Sequence, residues 1–392
     1  MRYAIVTETY PPEVNGVAFT VRALETGLRA RGHEVDLVRP RQQTADRAAA
    51  HEWLTRGSGL PRYPGLRLGW VRPGTLRAHW QRARPDAIYI ATEGPLGWGA
   101  LRAALRLGIP VATGFHTRFD RYMHDYGVPL LAPVALAWMR RFHNCGQATL
   151  VPTVELLHQL DQAGFQKARR LPRAVDSAAF HPRHRDATLR ACWGVGPRDP
   201  VVIHIGRLAA EKNLDLAVRS FRRIQQRLPS ARFVWVGDGP SRPALETANP
   251  DFIFCGVQRG AELSRHYASA DLFLFPSATE TFGNVTLEAL ASGVPTVAFD
   301  YGAAAEHLPE GPAGGTAAVG DEAGFLAIAE RSALALAAMD GQQRAAQVAL
   351  CRAAIAGLEP ARVAADFDAI LSHLTGACRE LPHPAAQALR RR

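Results

Sequence analysis

Glu280 and Glu288 stand eight residues apart, and their setting gives the pair chemical meaning. The first falls in a turn just past an apolar run at 272–275. The second lies about one turn into a helix approached through Phe282, Gly283, Asn284 and Val285. Free backbone N–H groups and the positive end of the helix dipole favour an anion at such a place. The layout suits a phosphorylated sugar, with N–H groups on phosphate or hydroxyl, Glu280 on sugar hydroxyls and Glu288 on a ribose diol. The same spacing also fits a strand–turn–helix carrying two solvated glutamates.

A second group follows the strand-like run 201–205, where Gly206 and Arg207 precede Lys212 and then a helix. Arg207 sits at a strand's carboxyl end, the edge at which open α/β sheets bind ligands. A guanidinium that grips bidentately beside a compact ammonium suits a diphosphate leaving group. Lysine is scarce here: Lys167 and Lys212 are the only two, and arginine supplies the other basic side chains. Taken singly, each charge fits a solvated surface equally well. The turn Gly237-Asp238-Gly239-Pro240 would let a nucleotide approach closely, and it also reads as an ordinary turn. In the first half, Asn15 and Gly16 open a helix where backbone could meet a phosphate. Residues 114–122 place His116, Arg118, Asp120 and Tyr122 past another strand, although a lone histidine is more often structural.

These groups need a scaffold that brings strand ends together. A chain of 392 residues is too long for one compact core and suits two α/β domains. Apolar strands are expected at 2–7, 34–38, 86–91, 111–115 and 148–152. Val17, Val21, Leu24 and Leu28 mark one buried helix face. Residues 171–182, bracketed by prolines and without periodicity, read as a linker. Strands at 201–205, 232–236, 252–255, 272–275 and 296–299 then alternate with helices at 214–228 and 285–292. Two helices, 321–339 and 341–374, close the chain, with a frayed tail from Gly376. The β-α-β rhythm predicts parallel sheets covered on both faces. The expected division is a first domain at 1–171, a linker at 172–182 and a second domain at 183–358. A helix at 359–375 returns to the first domain, and 376–392 form a flexible tail.

Together the motifs resemble the retaining glycosyltransferases of the GT-B fold, glycosyltransferase family 4. The carriers are E-x7-E (Glu280, Glu288), G-R-x4-K (Arg207, Lys212) and the Val-Gly-Asp-Gly-Pro turn at 236–240. The Val-Asn-Gly loop at 14–16 and P-x-x-V-D-x-x-x-F-x-P at 172–182 complete the set, in the expected order over residues 1–310. The run at 115–122 resembles more narrowly the branch holding GDP-mannose-dependent α-mannosyltransferases and sulfolipid synthases. The resemblance implies the α/β GT-B class, two Rossmann-like domains whose parallel sheets face a central cleft.

It also implies roles. Arg207 and Lys212 would bind the donor diphosphate, and Glu280 the sugar. Backbone at Phe282, Gly283, Asn284 and Val285 would hold hydroxyls and phosphate, and Glu288 the ribose. His116 would lie beneath the reacting sugar; Gly16 and Gly237 would admit the donor, and backbone near Val257 its base. Asn15, Arg118, Asp120 and Tyr122 would face the acceptor. One departure stands out: the family shows Gly-Gly-x-x-Glu after the strand 296–299, and here Ala303 replaces the second glycine. That predicts a loss of backbone freedom beside the donor.

The implied activity moves a hexose, α-mannosyl from GDP-mannose, to a lipid or glycolipid. A UDP-sugar donor, or a soluble saccharide acceptor, is the alternative. No D-x-D pair lies on a suitable loop, so no cofactor and no metal are expected. Residues 129–142 are apolar, carry Trp138 and turn basic at Arg140 and Arg141. They fit an interfacial helix on anionic lipid or a core helix. The net charge of +10 permits nucleic acid, anionic lipid or phosphorylated ligands. Dispersed arginines without a recognised motif argue against nucleic acid. The first strand is not followed by G-x-G-x-x-G, which disfavours a dehydrogenase. An epimerase on the same scaffold would consume donor without acceptor. Five scattered cysteines without C-x-x-C make a metal cluster or a disulfide framework a poor reading. With no long apolar run and no leader, the expected place is the cytoplasm, peripheral at the inner face of the membrane.

Overall fold

A computed structural model describes residues 1–380 other than 14, 44–45, 61–62, 117–131, 278–279, 281 and 310. The chain forms two compact units, Met1–Ala174 joined by the helix Pro360–Glu380, and Val175–Glu359.

In the first unit eight strands form one sheet: β1 (Arg2–Val6), β2 (Glu34–Pro40), β3 (Glu52–Leu60), β4 (Tyr63–Trp70), β5 (Ala87–Ile90), β6 (Val111–Gly114), β7 (Ala148–Val151) and β8 (Ala168–Arg170). Their order is β4-β3-β2-β1-β5-β6-β7-β8. Tyr3, Ala4, Ile5 and Val6 are wholly buried, as a central parallel strand covered on both faces requires. The chain runs outward from β1 in one direction and from β5 in the other. The crevice at their carboxyl ends is therefore the unit's switch point. The expectation of a purely parallel sheet fails at one edge, where β3 and β4 pair antiparallel. The sequence there is polar and glycine-rich, with no apolar run to signal a strand.

The helix Pro360–Glu380 completes this unit's core with Val363, Phe367 and Leu371. It lies so close to the helix Gly16–Ala30 that a Cβ on Gly27 would stand 2.3 Å from the Ala364 methyl. Tyr3 Oη donates to Asp368 Oδ1 at 2.9 Å, and Arg31 Nε to Asp368 Oδ2 at 3.0 Å. The single helix expected at 341–374 is in fact two, Gly341–Ala353 and Pro360–Glu380. Gly357 adopts φ 85° between them, and Pro360 lacks the N–H that would continue a helix. The second of these helices also runs past Gly376, where a frayed tail was expected; residues 381–392 lie outside the described residues.

The second unit has six parallel strands: β9 (Val201–Ile205), β10 (Arg232–Val236), β11 (Ile253–Phe254), β12 (Leu272–Phe275), β13 (Thr296–Phe299) and β14 (Gly315–Ala317). The order β11-β10-β9-β12-β13-β14 puts the switch point between β9 and β12. One face is packed by Leu214, Leu216, Phe221 and Ile224 of the helix Leu214–Arg227. Phe233, Trp235 and Phe252 lie against them. The short strands β8 and β14 were not legible beforehand.

Candidate functional site

At the carboxyl edge of the second sheet, glycines let neighbouring loops interlock. Gly206 N donates to Val236 O at 3.0 Å, and Gly237 N to Gly256 O at 2.8 Å. Gly237 has φ 135°, and a Cβ there would fall 1.9 Å from Gly206 O. Glycine at 237 is thus required by the adjoining loop itself. Val257, just beyond, is exposed.

Arg207 follows β9 with its side chain more than half exposed, and Nη1 lies 3.7 Å from Glu211 Oε1. Lys212 ends a single 3-10 turn, and Asn213 in the left-handed region (φ 52°) starts the helix Leu214–Arg227. This turn aims the Lys212 ammonium at Glu280, and the two form an ion pair. Each side chain is about four-fifths buried, with exposures of 18% and 21%. Ser277 Oγ donates to Glu280 Oε1 at 3.2 Å, and Glu280 N donates to Tyr301 Oη at 2.6 Å. The two motifs read separately from the sequence therefore meet across β9 and β12.

Gly283, with φ 89°, precedes the helix Asn284–Ala291. The N–H groups of Asn284 and Val285 fall in its first turn, where no intrahelical acceptor exists. Phe282 is buried, and its carbonyl accepts from Ala303 N at 2.7 Å. A Cβ on Gly302 (φ 61°) would stand 2.7 Å from the same carbonyl. Ala303 is itself wholly buried in the helix Gly302–His307, outside the left-handed region. The expected loss of freedom at Ala303 is therefore corrected: the freedom is needed at Gly302, which is glycine.

Glu288 accepts from Tyr267 Oη at 3.0 Å, and burial pushes its carboxyl up to about 7. Near neutrality this group can donate or accept, which suits a diol. Among the described residues no group of three His, Cys, Asp or Glu could hold a metal ion.

The first unit carries a different arrangement. Asn15 caps the helix Gly16–Ala30, its Oδ1 accepting from Ala18 N at 2.8 Å, while its amide donates to Thr9 Oγ1 at 2.7 Å. Gly16 is the first helical residue. His116 is 9% exposed, just past β6. Its Nδ1 accepts from Arg173 Nη2 at 2.7 Å, so the proton resides on Nε2, which meets Tyr89 Oη at 2.7 Å. Burial and the neighbouring guanidinium hold its pKa well below the usual imidazole value. Arg118, Asp120 and Tyr122 lie outside the described residues.

Sequence reasoning missed the buried polar groups at this edge. Glu8 Oε1 accepts from Leu96 N at 3.0 Å and Gly69 N at 3.2 Å, and burial pushes its pKa up to about 7. His143 bridges Glu93 Oε1 (3.1 Å) and Thr113 Oγ1 (2.7 Å). Glu8, Glu93, His116 and Arg173 each fall two or three residues past the end of β1, β5, β6 or β8. For Glu8, Glu93 and His116 a polar residue just past an apolar strand was the signal available; β8, which reads Ala-Arg-Arg, gave none for Arg173.

Residues 14–179 match the family described as Glycosyltransferase Family 4, and residues 199–337 match Glycosyl transferases group 1. A GDP-mannose-dependent alpha-mannosyltransferase of Mycolicibacterium smegmatis is 37% identical over 77% of this chain and 80% of its own. A GDP-mannose-dependent alpha-(1-6)-phosphatidylinositol dimannoside mannosyltransferase of Mycobacterium tuberculosis is 31% identical over 79% and 85%. The crystal structure of Anabaena Alr3699/HepE in complex with UDP aligns at a TM-score of 0.72. It covers 95% of this chain and all of that one at 17% identity, which shows the shared GT-B fold.

Proposed function

The chain belongs to glycosyltransferase family 4, and from that premise we propose that it moves an α-mannosyl group from GDP-mannose to a lipid acceptor with retention. The observation that carries this reading is the convergence of Lys212, Glu280 and the Gly283 turn at the β9/β12 switch point. As the glycosyl–phosphate bond breaks, the diphosphate gains negative charge and the anomeric carbon becomes oxocarbenium-like. Preorganised cations and N–H groups at the leaving oxygens are the main lever on that barrier. Lys212, held by Glu280, is positioned before donor arrives and exchanges its carboxylate partner for phosphate. Glu280, so released, accepts from sugar hydroxyls. Arg207 adds a second cation, Asn284 and Val285 offer N–H groups, and Glu288 takes the ribose. The leaving phosphate oxygen receives the acceptor's hydroxyl proton on the face it vacates. No metal enters this scheme, so chelation by EDTA leaves the rate unchanged.

The relatives named for phosphatidylinositol mannosides support a lipid acceptor. The helix Ala132–Asn144 supports a membrane surface. It buries Met139, Phe142 and His143 while Val134, Trp138, Arg140 and Arg141 are exposed. An apolar ring beside guanidinium groups suits the interface of an anionic bilayer. No described helix is long and apolar enough to cross one.

A donor panel tests the proposal. Purified protein is given GDP-mannose, UDP-glucose or UDP-galactose, with and without lipid vesicles. GDP release that requires vesicles is expected. Release from a UDP-sugar alone moves the donor assignment, and turnover of donor without any acceptor points to an epimerase.

A further inference from the structure

Among the described residues, three arginines are more than nine-tenths buried: Arg39, Arg173 and Arg190. Two of them are neutralised. Arg39 meets Asp46 at 3.3 Å and Glu52 at 3.0 Å. Arg190 meets Asp271 at 3.2 Å and donates to the carbonyls of Ser269, Gly196 and Asp199. Among the described residues Arg173 pairs with no carboxylate; its Nη2 donates to the neutral His116 ring, and its Nη1 has no partner there.

Leaving a guanidinium buried and uncompensated costs several kcal/mol, roughly the cost of breaking a buried ion pair. The other two arginines show that this fold supplies counter-charges where the role is structural. Arg173 stands three residues past β8, beside His116 past β6 and Tyr89 of β5. That is the carboxyl edge of the first sheet, the ligand side.

We propose that the missing partner comes with the substrate: Arg173 reads an oxyanion on the acceptor headgroup. The acceptor is then an anionic lipid, and Arg173 discriminates it from a neutral one of similar shape. A charge-assisted hydrogen bond in a dry setting is strong enough to set that preference. The inference rests on the glycosyltransferase reading and narrows its acceptor class.

The test uses the full chain with GDP-mannose and phosphatidylcholine vesicles carrying either phosphatidylinositol or diacylglycerol as acceptor. Arg173→Gln releases His116 Nδ1 and so lowers kcat/KM on both acceptors, but the loss for phosphatidylinositol is expected to exceed that for diacylglycerol about tenfold or more. Arg173→Lys restores part of the difference. Thermal stabilisation by inorganic phosphate supplies a readout independent of transfer, and Arg173→Gln is expected to weaken it. Equal losses on both acceptors with an unchanged phosphate response make Arg173 a structural residue and overturn the proposal. Unchanged kinetics, or a change in donor KM alone, overturn it as well. If wild type transfers to neither acceptor, the reading of GDP-mannose transfer to lipid fails, and the phosphate arm still decides the fate of Arg173.

Discussion

The carboxyl edges of the two sheets handle charge in opposite ways. In the second unit the charged pair Lys212–Glu280 is partly open to solvent, and the Glu288 carboxyl, its pKa raised by burial, accepts from the neutral Tyr267 hydroxyl. In the first the charged groups are sealed in and tied to fixed neighbours. Glu8 is held by backbone N–H groups and Glu93 by His143, and Arg173 is the exception, with one nitrogen on His116 and the other unpartnered among the described residues. Partly solvated pairs can trade partners for a ligand at modest cost, whereas buried ones shape the edge and stay. The second unit thus supplies exchangeable charge and the first a preset framework.

That contrast is sharpest at Lys212. Lys212→Ala is expected to lower kcat about 10²-fold or more, as losing one preorganised donor at a developing charge does. Donor turnover measured with and without lipid checks it. A variant with wild-type kcat would break the contrast, since Lys212 would then only hold Glu280.

Glu288→Gln is expected to weaken GDP-mannose binding by about tenfold, read by calorimetric titration. Because burial holds the Glu288 carboxyl near 7, wild-type affinity should change as pH rises from 6 to 8. The glutamine variant should show a flatter response.

Glu8 tests the opposite side of the comparison, where the effect falls on stability. Its folded pKa, about 7, lies above the ordinary 4.5. The proton is therefore bound more tightly in the folded state. The stability this provides is complete below about pH 4.5 and is lost as pH rises through about 7, a span of about 1–3 kcal/mol. Glu8→Gln removes that slope while keeping an acceptor for Leu96 N and Gly69 N. Urea midpoints at pH 5 and pH 8 measure it, and equal slopes in both proteins would contradict the assignment.

The smallest effect belongs to Ala303→Gly. It should leave kcat within about twofold and cost about 0.5–1 kcal/mol of stability from added backbone freedom in a helix. Gly302→Ala, by contrast, meets the Phe282 carbonyl and should be clearly harmful.

What was legible follows the same divide. The second unit's site is built from short local motifs, so Glu280, Glu288, Arg207 and Lys212 could be read from spacing and resemblance. Their ion pair could not, because residues 68 positions apart meet only through the strand order. The apolar strands announced themselves by burial on both faces. The hairpin β3–β4, polar and at an edge, did not. Glu8, Glu93 and Arg173 stayed hidden because each is a lone polar residue whose partners come from distant strands. The break before Pro360 was written in Gly357 and Pro360, and the alanine-rich helical composition on both sides masked it.

The central claim is that the paired charges of the second unit are a donor site for retaining transfer. Product analysis after incubation with GDP-mannose and lipid vesicles tests it most directly, by NMR of the anomeric centre together with GDP release. The account predicts an α-linked mannolipid formed in step with GDP, and neither in the absence of acceptor. A β-linked product, or GDP release at the same rate without lipid, would contradict it.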